Sequence, residues 1–159
     1  MMDMDGTHVV RDRDGFDEAA TLLVDFNREY DDPAPEPNWL ATHLDRLVQS
    51  GHTSVLTFGS PAIGVAVLRF RIGTWSSNIE AYLAEFYVQP SQRGKGYGTT
   101  FLDDVIEHVR SRGATYLDLN TSEDDEAARH VYEKRGFDCH EGRGSGPKAL
   151  YYELELELE

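Results

Sequence analysis

Residues 92–100 read QRGKGYGTT: glycines at 94, 96 and 98 alternate with Arg93, Lys95, Tyr97 and Thr99, and a helical pattern follows. Glycine costs conformational entropy on folding, so three at alternate positions signal a special backbone shape or a close visitor. Free backbone N–H groups at a helix start, together with the positive end of the dipole, form an anion site. Gly94, Gly96 and Gly98 remove side chains that would block approach. Arg93 and Lys95 add charge, and Thr99 adds a hydroxyl. The chemistry this stretch suits is the retention of a phosphate or pyrophosphate.

Two common phosphate templates fit poorly. A Walker loop needs G-x-x-x-x-G-K-[ST], which is absent. A Rossmann fingerprint needs G-x-G-x-x-G early in a βαβ unit, with an acid at the end of the next strand. Here the spacing is G-x-G-x-G, the loop lies past mid-chain, and Asp118 falls inside its strand.

The elements around the loop can be read from periodicity. His8–Arg11 suits a first strand. Phe16, Ala19, Leu22, Leu23, Phe26 and Tyr30 recur at helical spacing, with Asp14 or Asp17 as cap. The prolines of DDPAPEP stop that helix. Asn38 is expected to cap a second helix carrying Leu40, Leu44, Leu47 and Val48. Thr53–Phe58 and Ala62–Ile72 read as a hairpin, and Tyr82–Val88 as the next strand. After the glycine stretch, Phe101, Leu102, Val105, Ile106 and Val109 mark an amphipathic helix. ATYLDLNT is a strand. SEDDEAARHVYEKRG is a helix, with Ser122 and Asp125 spaced as a capping box. ALYYELELELE alternates strictly and reads as a last strand. Leu158-Glu159 is either native or a cloning remnant. The expected fold is α+β: one domain over 1–159, with a mixed, mostly antiparallel sheet of about seven strands flanked by helices.

Composition narrows the partners. The 159 residues carry a net charge of -14. A nucleic-acid or anionic-membrane binder wants the opposite sign, so neither is expected. The field favours cationic partners such as amines, and it equally serves solubility or life in high salt. Cys139 is the only cysteine, so no internal disulfide forms and a reducing, cytoplasmic setting fits. The acidic start MMDMDGTHVVRDRD has no apolar core of a signal peptide, and no window approaches a membrane span. The six histidines show no metal-ligand spacing, so no metal is expected.

A third template does fit. VQPSQRGKGYGTTFLDDVIEHV resembles the acetyl-coenzyme A motif of the GNAT N-acetyltransferases, [QR]-x-x-G-x-[GA], with Arg93, Gly96 and Gly98 at its fixed positions. DEAARHVYEKRGF resembles the family's later helix, N-x-x-A-x-x-x-Y-E-x-x-G-F, through Ala128, Tyr132, Glu133, Gly136 and Phe137. The likeness covers residues 53–157 well and the first two helices loosely. It departs at Asp125, where the family has asparagine. The departure puts one contact to the cofactor arm in doubt, and Asn120 is an alternative contact.

The resemblance implies acetyl transfer from acetyl-coenzyme A to an amine by direct attack in a ternary complex. It implies that backbone groups of Phe86, Tyr87 and Val88 bond the pantetheine arm as an added strand. It implies that Arg93 to Thr99 hold the pyrophosphate. A free alkyl amine titrates near pH 10.4, so neutralising it at pH 7 costs roughly 4–5 kcal/mol. A base is therefore wanted. Glu85 stands where the family often places an acid, and Glu80 is a weaker candidate. Tyr132 matches the tyrosine that relatives place near the sulfur, as proton donor or hydrogen-bond donor. Trp75, Asp31 and Asp32 are candidate acceptor contacts, and the acceptor is a small-molecule or peptide amine, for which the charge leaves a cationic one open. A non-catalytic acyl-coenzyme A sensor is the alternative function, and a homodimer paired through the C-terminal strand is an open assembly.

Overall fold

The computed structural model describes residues 3–142 and 144–158. Met1 and Met2, at the head of the acidic N-terminal stretch, and Glu159 of the Leu158-Glu159 pair lie outside the described residues. The order of elements is β1 (Asp3–Val9), α1 (Arg13–Glu29), α2 (Pro37–Gln49), β2 (Thr53–Ser60), β3 (Gly64–Ile72), β4 (Ile79–Val88), α3 (Tyr97–Ser111), β5 (Ala114–Leu119) and α4 (Glu126–Lys134). The chain divides into two compact units, Met1–Leu119 and Asn120–Glu159.

The first unit holds a five-stranded sheet in the order β1-β2-β3-β4-β5. The three β1-to-β4 pairings are antiparallel and β4–β5 is parallel, so the sheet is mixed as expected. Alternation divides the buried side chains between two faces. Val55, Val65, Val67 and Tyr87 join Phe16, Ala19, Ala20 and Leu22 of α1 and Ala41 and Leu44 of α2 in one core. On the other face, the Phe101 ring of α3 meets Phe58 at 5.5 Å and Phe86 at 5.2 Å. Arg13 fixes α1 to α2 through Thr42 Oγ1 at 2.8 Å. Glu18 accepts from the Ala62 amide at 2.7 Å and fixes α1 to the β2–β3 turn.

The helix caps differ from expectation. Asp12, rather than Asp14 or Asp17, caps α1 by accepting from the Gly15 amide. Glu36, rather than Asn38, is the N-cap of α2, because Pro37 takes the first helical position, where a missing N–H costs nothing. Asp125 caps α4 through the Ala128 amide, so Ser122 is not its cap.

The sheet has five strands against the expected seven or so. β1 lies at Asp3–Val9 rather than 8–11, because its ladder runs against β2 with Thr7 opposite Phe58 and Val9 opposite Leu56. The C-terminal strand is corrected: residues 149–158 form none, and Leu150, Leu154, Leu156 and Leu158 are exposed. Strand-like pairing in that unit, among the described residues, is a bridge between His140 and Lys148 flanked by bonds from the Glu141 amide to the Pro147 carbonyl and from the Ala149 amide to the Cys139 carbonyl. Alternation supplies two faces for a strand, but a ladder needs a partner backbone. No helix among the described residues is long and apolar enough to cross a membrane.

Candidate active site

β4 changes character along its length. From Ile79 to Leu83 it pairs with β3 on one edge and with β5 on the other. The β5 register ends at Leu83–Leu119, so residues 84–88 run on with β3 alone as their strand partner. The β3 register also shifts there: Val67 opposes Glu85 and Leu68 opposes Leu83, which leaves Ala84 as an inserted residue. Such a bulge re-aims the side chains beside it. Ala84 packs on the α1/α2 core and Glu85 opposes Val67 of that core, so two consecutive residues serve one face.

Glu85 lies at the rim of that cover. Its side chain reaches solvent. Protein atoms nonetheless crowd the carboxyl, and desolvation holds its pKa above the ordinary carboxylate value, with Arg69 pulling it back. Glu80 is occupied differently, accepting from Arg71 Nε at 3.0 Å. Trp75 is 98% exposed in the β3–β4 loop, and Asp31 and Asp32 are exposed in the turn after α1.

The glycine loop follows Val88 through a single 3-10 turn, Pro90–Gln92, and enters α3 at Tyr97. Gly94 and Gly96 have φ of +77° and +84°, in the left-handed region, and Gly96 is the N-cap. No side chain caps α3, so the first-turn amides of Tyr97, Gly98 and Thr99 have neither an intrahelical nor a capping acceptor. Gly98 is different: its backbone is ordinary, and an added Cβ would meet nothing within 4 Å. The fold of the free chain does not demand glycine at 98, whereas it does at 94 and 96. Lys95 Nζ donates to Gln92 Oε1 at 3.2 Å.

Arg93 is tied to its neighbours in the fold while its side chain stays partly exposed. Its Nε donates to the Val88 carbonyl at 2.9 Å, its Nη2 donates to Glu29 Oε2 at 2.9 Å, and its guanidinium lies 5.5 Å from the centre of the Tyr87 ring. One side chain thus joins the end of β4, the glycine loop and the end of α1. Glu29 carried no signal in the sequence, because its partner is 64 residues away. Tyr87 is buried beside Phe26 at 5.0 Å, and desolvation followed by the Glu29 charge raises its pKa. Tyr97 sits 5.9 Å from Phe58. The end of the β5 ladder at Leu83, the uncapped first turn of α3 and the left-handed glycines fit an extended chain ending in a diphosphate.

In the second unit, Asn120 directly follows β5 in the chain. Tyr132 of α4 is buried, its ring 5.7 Å from Phe137 in an edge-on arrangement. Desolvation, with a smaller push from Asp125, raises its pKa to about 12. Asp125 is accounted for as the cap, with Oδ1 3.1 Å from the Ala128 amide. Asp138, Cys139 and His140 bring a carboxylate, a thiol and an imidazole within 4.8 Å of one another, which the histidine spacing did not suggest. Asp138 Oδ1 already accepts from the His140 amide at 2.9 Å and from Nδ1 at 3.0 Å, which explains the cluster as a turn.

Known proteins resemble the chain in sequence and fold. Residues 17–137 match the model of the acetyltransferase (GNAT) family. An uncharacterized N-acetyltransferase of Methanocaldococcus jannaschii is 34% identical over 68 residues, 40% of this chain and 30% of that protein. Thialysine N-epsilon-acetyltransferase of Mus musculus is 30% identical over 78 residues, 49% of this chain and 45% of that protein. The chain thus spans less than half the length of these two relatives. A solved protein of Arthrobacter sp. FB24 that carries the name acetyltransferase is 35% identical, with a TM-score of 0.85 over 97% of both chains.

Proposed function

The chain belongs to the acetyltransferase (GNAT) family, and from that premise we propose that it transfers an acetyl group from acetyl-coenzyme A to a primary amine of a small molecule or peptide. The amine attacks directly, within a ternary complex. The observation that carries this reading is the coincidence of the β4 edge beyond Leu83 with the uncapped amides of α3, one turn further along the chain. Relatives named for N-acetyl transfer, one of them for transfer to thialysine, support an amine as acceptor.

Bound acetyl-coenzyme A supplies the thioester carbonyl that the amine attacks. Backbone groups of Phe86, Tyr87 and Val88 hold its pantetheine arm in the manner of an added strand. The amides from Gly94 to Thr99, with Lys95, hold its pyrophosphate, and Asn120 contributes a contact to the arm. Arg93 orients this loop through its bonds to Val88 and Glu29, and its remaining N–H groups join the loop amides in holding the pyrophosphate. Glu85 takes the proton of the incoming ammonium, and its raised pKa brings it closer to the task. Tyr132 donates a hydrogen bond to the leaving sulfur and keeps its proton. A phenol near pKa 12 would protonate a thiolate of pKa about 8.5 only at a cost of roughly 5 kcal/mol. The exposed thiol of Cys139 accords with a reducing, cytoplasmic compartment.

The test is a thermal-shift titration with acetyl-coenzyme A, followed by a thiol-release screen of amines. Stabilisation together with release is expected. Stabilisation without release for any amine would make the protein a sensor of acyl-coenzyme A. The absence of both would overturn the reading.

A further inference from the structure

β3 and β4 carry charged side chains on the α1/α2 face beyond the cover of those helices. Arg71 is committed there, donating to Glu80 at 3.0 Å and to Asp118 at 3.3 Å. Arg69, two residues earlier and so on the same face, is exposed and has no ion pair within 4.0 Å among the described residues. Its cross-strand neighbours are Thr53 and Tyr82, neither of them acidic. The acid whose charge it influences is Glu85, which opposes Val67.

The register sets the spacing. Arg69 lies two residues, about 6.7 Å, along β3 from Val67, and adjacent strands are about 4.8 Å apart. The backbones of Arg69 and Glu85 are therefore about 8 Å apart, with both side chains on one face. Side chains of that length can reach each other, yet they do not close into an ion pair. A positive and a negative group stand separately, side by side, on one face of the sheet.

We propose that Arg69 binds a carboxylate of the acceptor, so that the substrate is an amino acid rather than a carboxylate-free amine. The proposal rests on the reading of Glu85 as the group that meets the acceptor's ammonium. A zwitterionic acceptor then matches the pair in reverse, ammonium at Glu85 and carboxylate at Arg69. The guanidinium fork suits a carboxylate, which it can bind through two parallel hydrogen bonds. The same guanidinium repels a second ammonium, so a diamine or polyamine is disfavoured despite the net charge of -14. Arg69 is thus a specificity residue, and loss of its contact changes substrate choice rather than the chemical step.

The test uses matched pairs: each common amino acid against the amine it gives on loss of its carboxylate, such as lysine against 1,5-diaminopentane. Thiol release is followed at saturating acetyl-coenzyme A with the wild type and Arg69→Gln. At least one amino acid is expected to exceed its matched amine by about tenfold or more in kcat/KM. Arg69→Gln should bring that ratio close to one through a higher KM for the amino acid. The KM for acetyl-coenzyme A and the Tm should stay unchanged. A wild type that prefers the amine throughout, or a ratio that survives the substitution, overturns the proposal. If no pair releases thiol, the acyl-transfer reading fails by itself. Calorimetric titration of the same pairs then decides about Arg69: tighter binding of an amino acid that Arg69→Gln abolishes supports it, and equal binding sinks it.

Discussion

Glu85 and Tyr132 make different predictions because one is asked to take a proton and the other only to share one. Burial raises the pKa of both. A base works when unprotonated, so kcat/KM should fall as pH drops through the Glu85 value, and that limb should lie above the ordinary carboxylate range. Glu85→Gln should lower kcat/KM by about 10²–10⁴-fold and remove the limb, which a pH–rate profile checks. A limb that persists in the variant assigns the base elsewhere. For Tyr132, a pKa of about 12 places its titration beyond the working pH. Tyr132→Phe should lower kcat by about tenfold to a hundredfold, the worth of a hydrogen bond to a charged sulfur, without changing the shape of the profile. Loss of an alkaline limb in that variant would restore the tyrosine as a proton donor.

At the scale of elements, the loop and its flanking helices carry the cofactor site. Gly96 is left-handed and Gly98 is not, although an added Cβ meets no atom at either. Gly96→Ala should cost about 1–2 kcal/mol of stability from backbone strain alone, measured by urea unfolding. Gly98→Ala should keep stability or raise it by up to about 1 kcal/mol, and any rise in KM for acetyl-coenzyme A then reports the visitor rather than the fold. Equal destabilisation by both substitutions would mean that the loop conformation has been misassigned. The Glu29–Arg93 pair joins α1 to the loop with side chains 26% and 45% exposed, so solvent screens it. Glu29→Gln should raise the KM for acetyl-coenzyme A about twofold to fivefold with kcat preserved. An unchanged KM would show that the loop holds its shape without α1.

At the scale of the whole molecule, charge is the dominant feature. A net charge of -14 repels itself in any compact state. Salt screens that repulsion, with a Debye length of about 30 Å at 0.01 M and about 3 Å at 1 M. The Tm should therefore rise with sodium chloride, by about 2–4 °C for each kcal/mol of repulsion relieved. A Tm that falls with salt, followed by scanning calorimetry, would mean that favourable pairs such as Arg71 with Glu80 and Asp118 outweigh the excess.

The sequence by itself determined what depends on neighbours along the chain. Helical spacing in Phe16–Tyr30 and Phe101–Val109, the β2–β3 hairpin, and the glycine loop opening α3 are local patterns, and each appears near its expected place. The two motifs also carried the family, because their residues recur at fixed short intervals. Tertiary structure alone decided what depends on a distant partner. The inserted Ala84 exists only through the register with β3, and the end of the β5 ladder at Leu83 only through the length of β5. Arg93 reads in sequence as a phosphate ligand, and only the fold brings it also to Glu29 and the Val88 carbonyl. Arg69 and Arg71 look alike in sequence, and only the placement of Glu80 and Asp118 gives Arg71 the ion pairs that Arg69 lacks among the described residues. The alternating leucines of residues 150–158 fail as a strand for the same reason: periodicity fixes which way side chains point, but a ladder requires a second backbone that the periodicity does not specify.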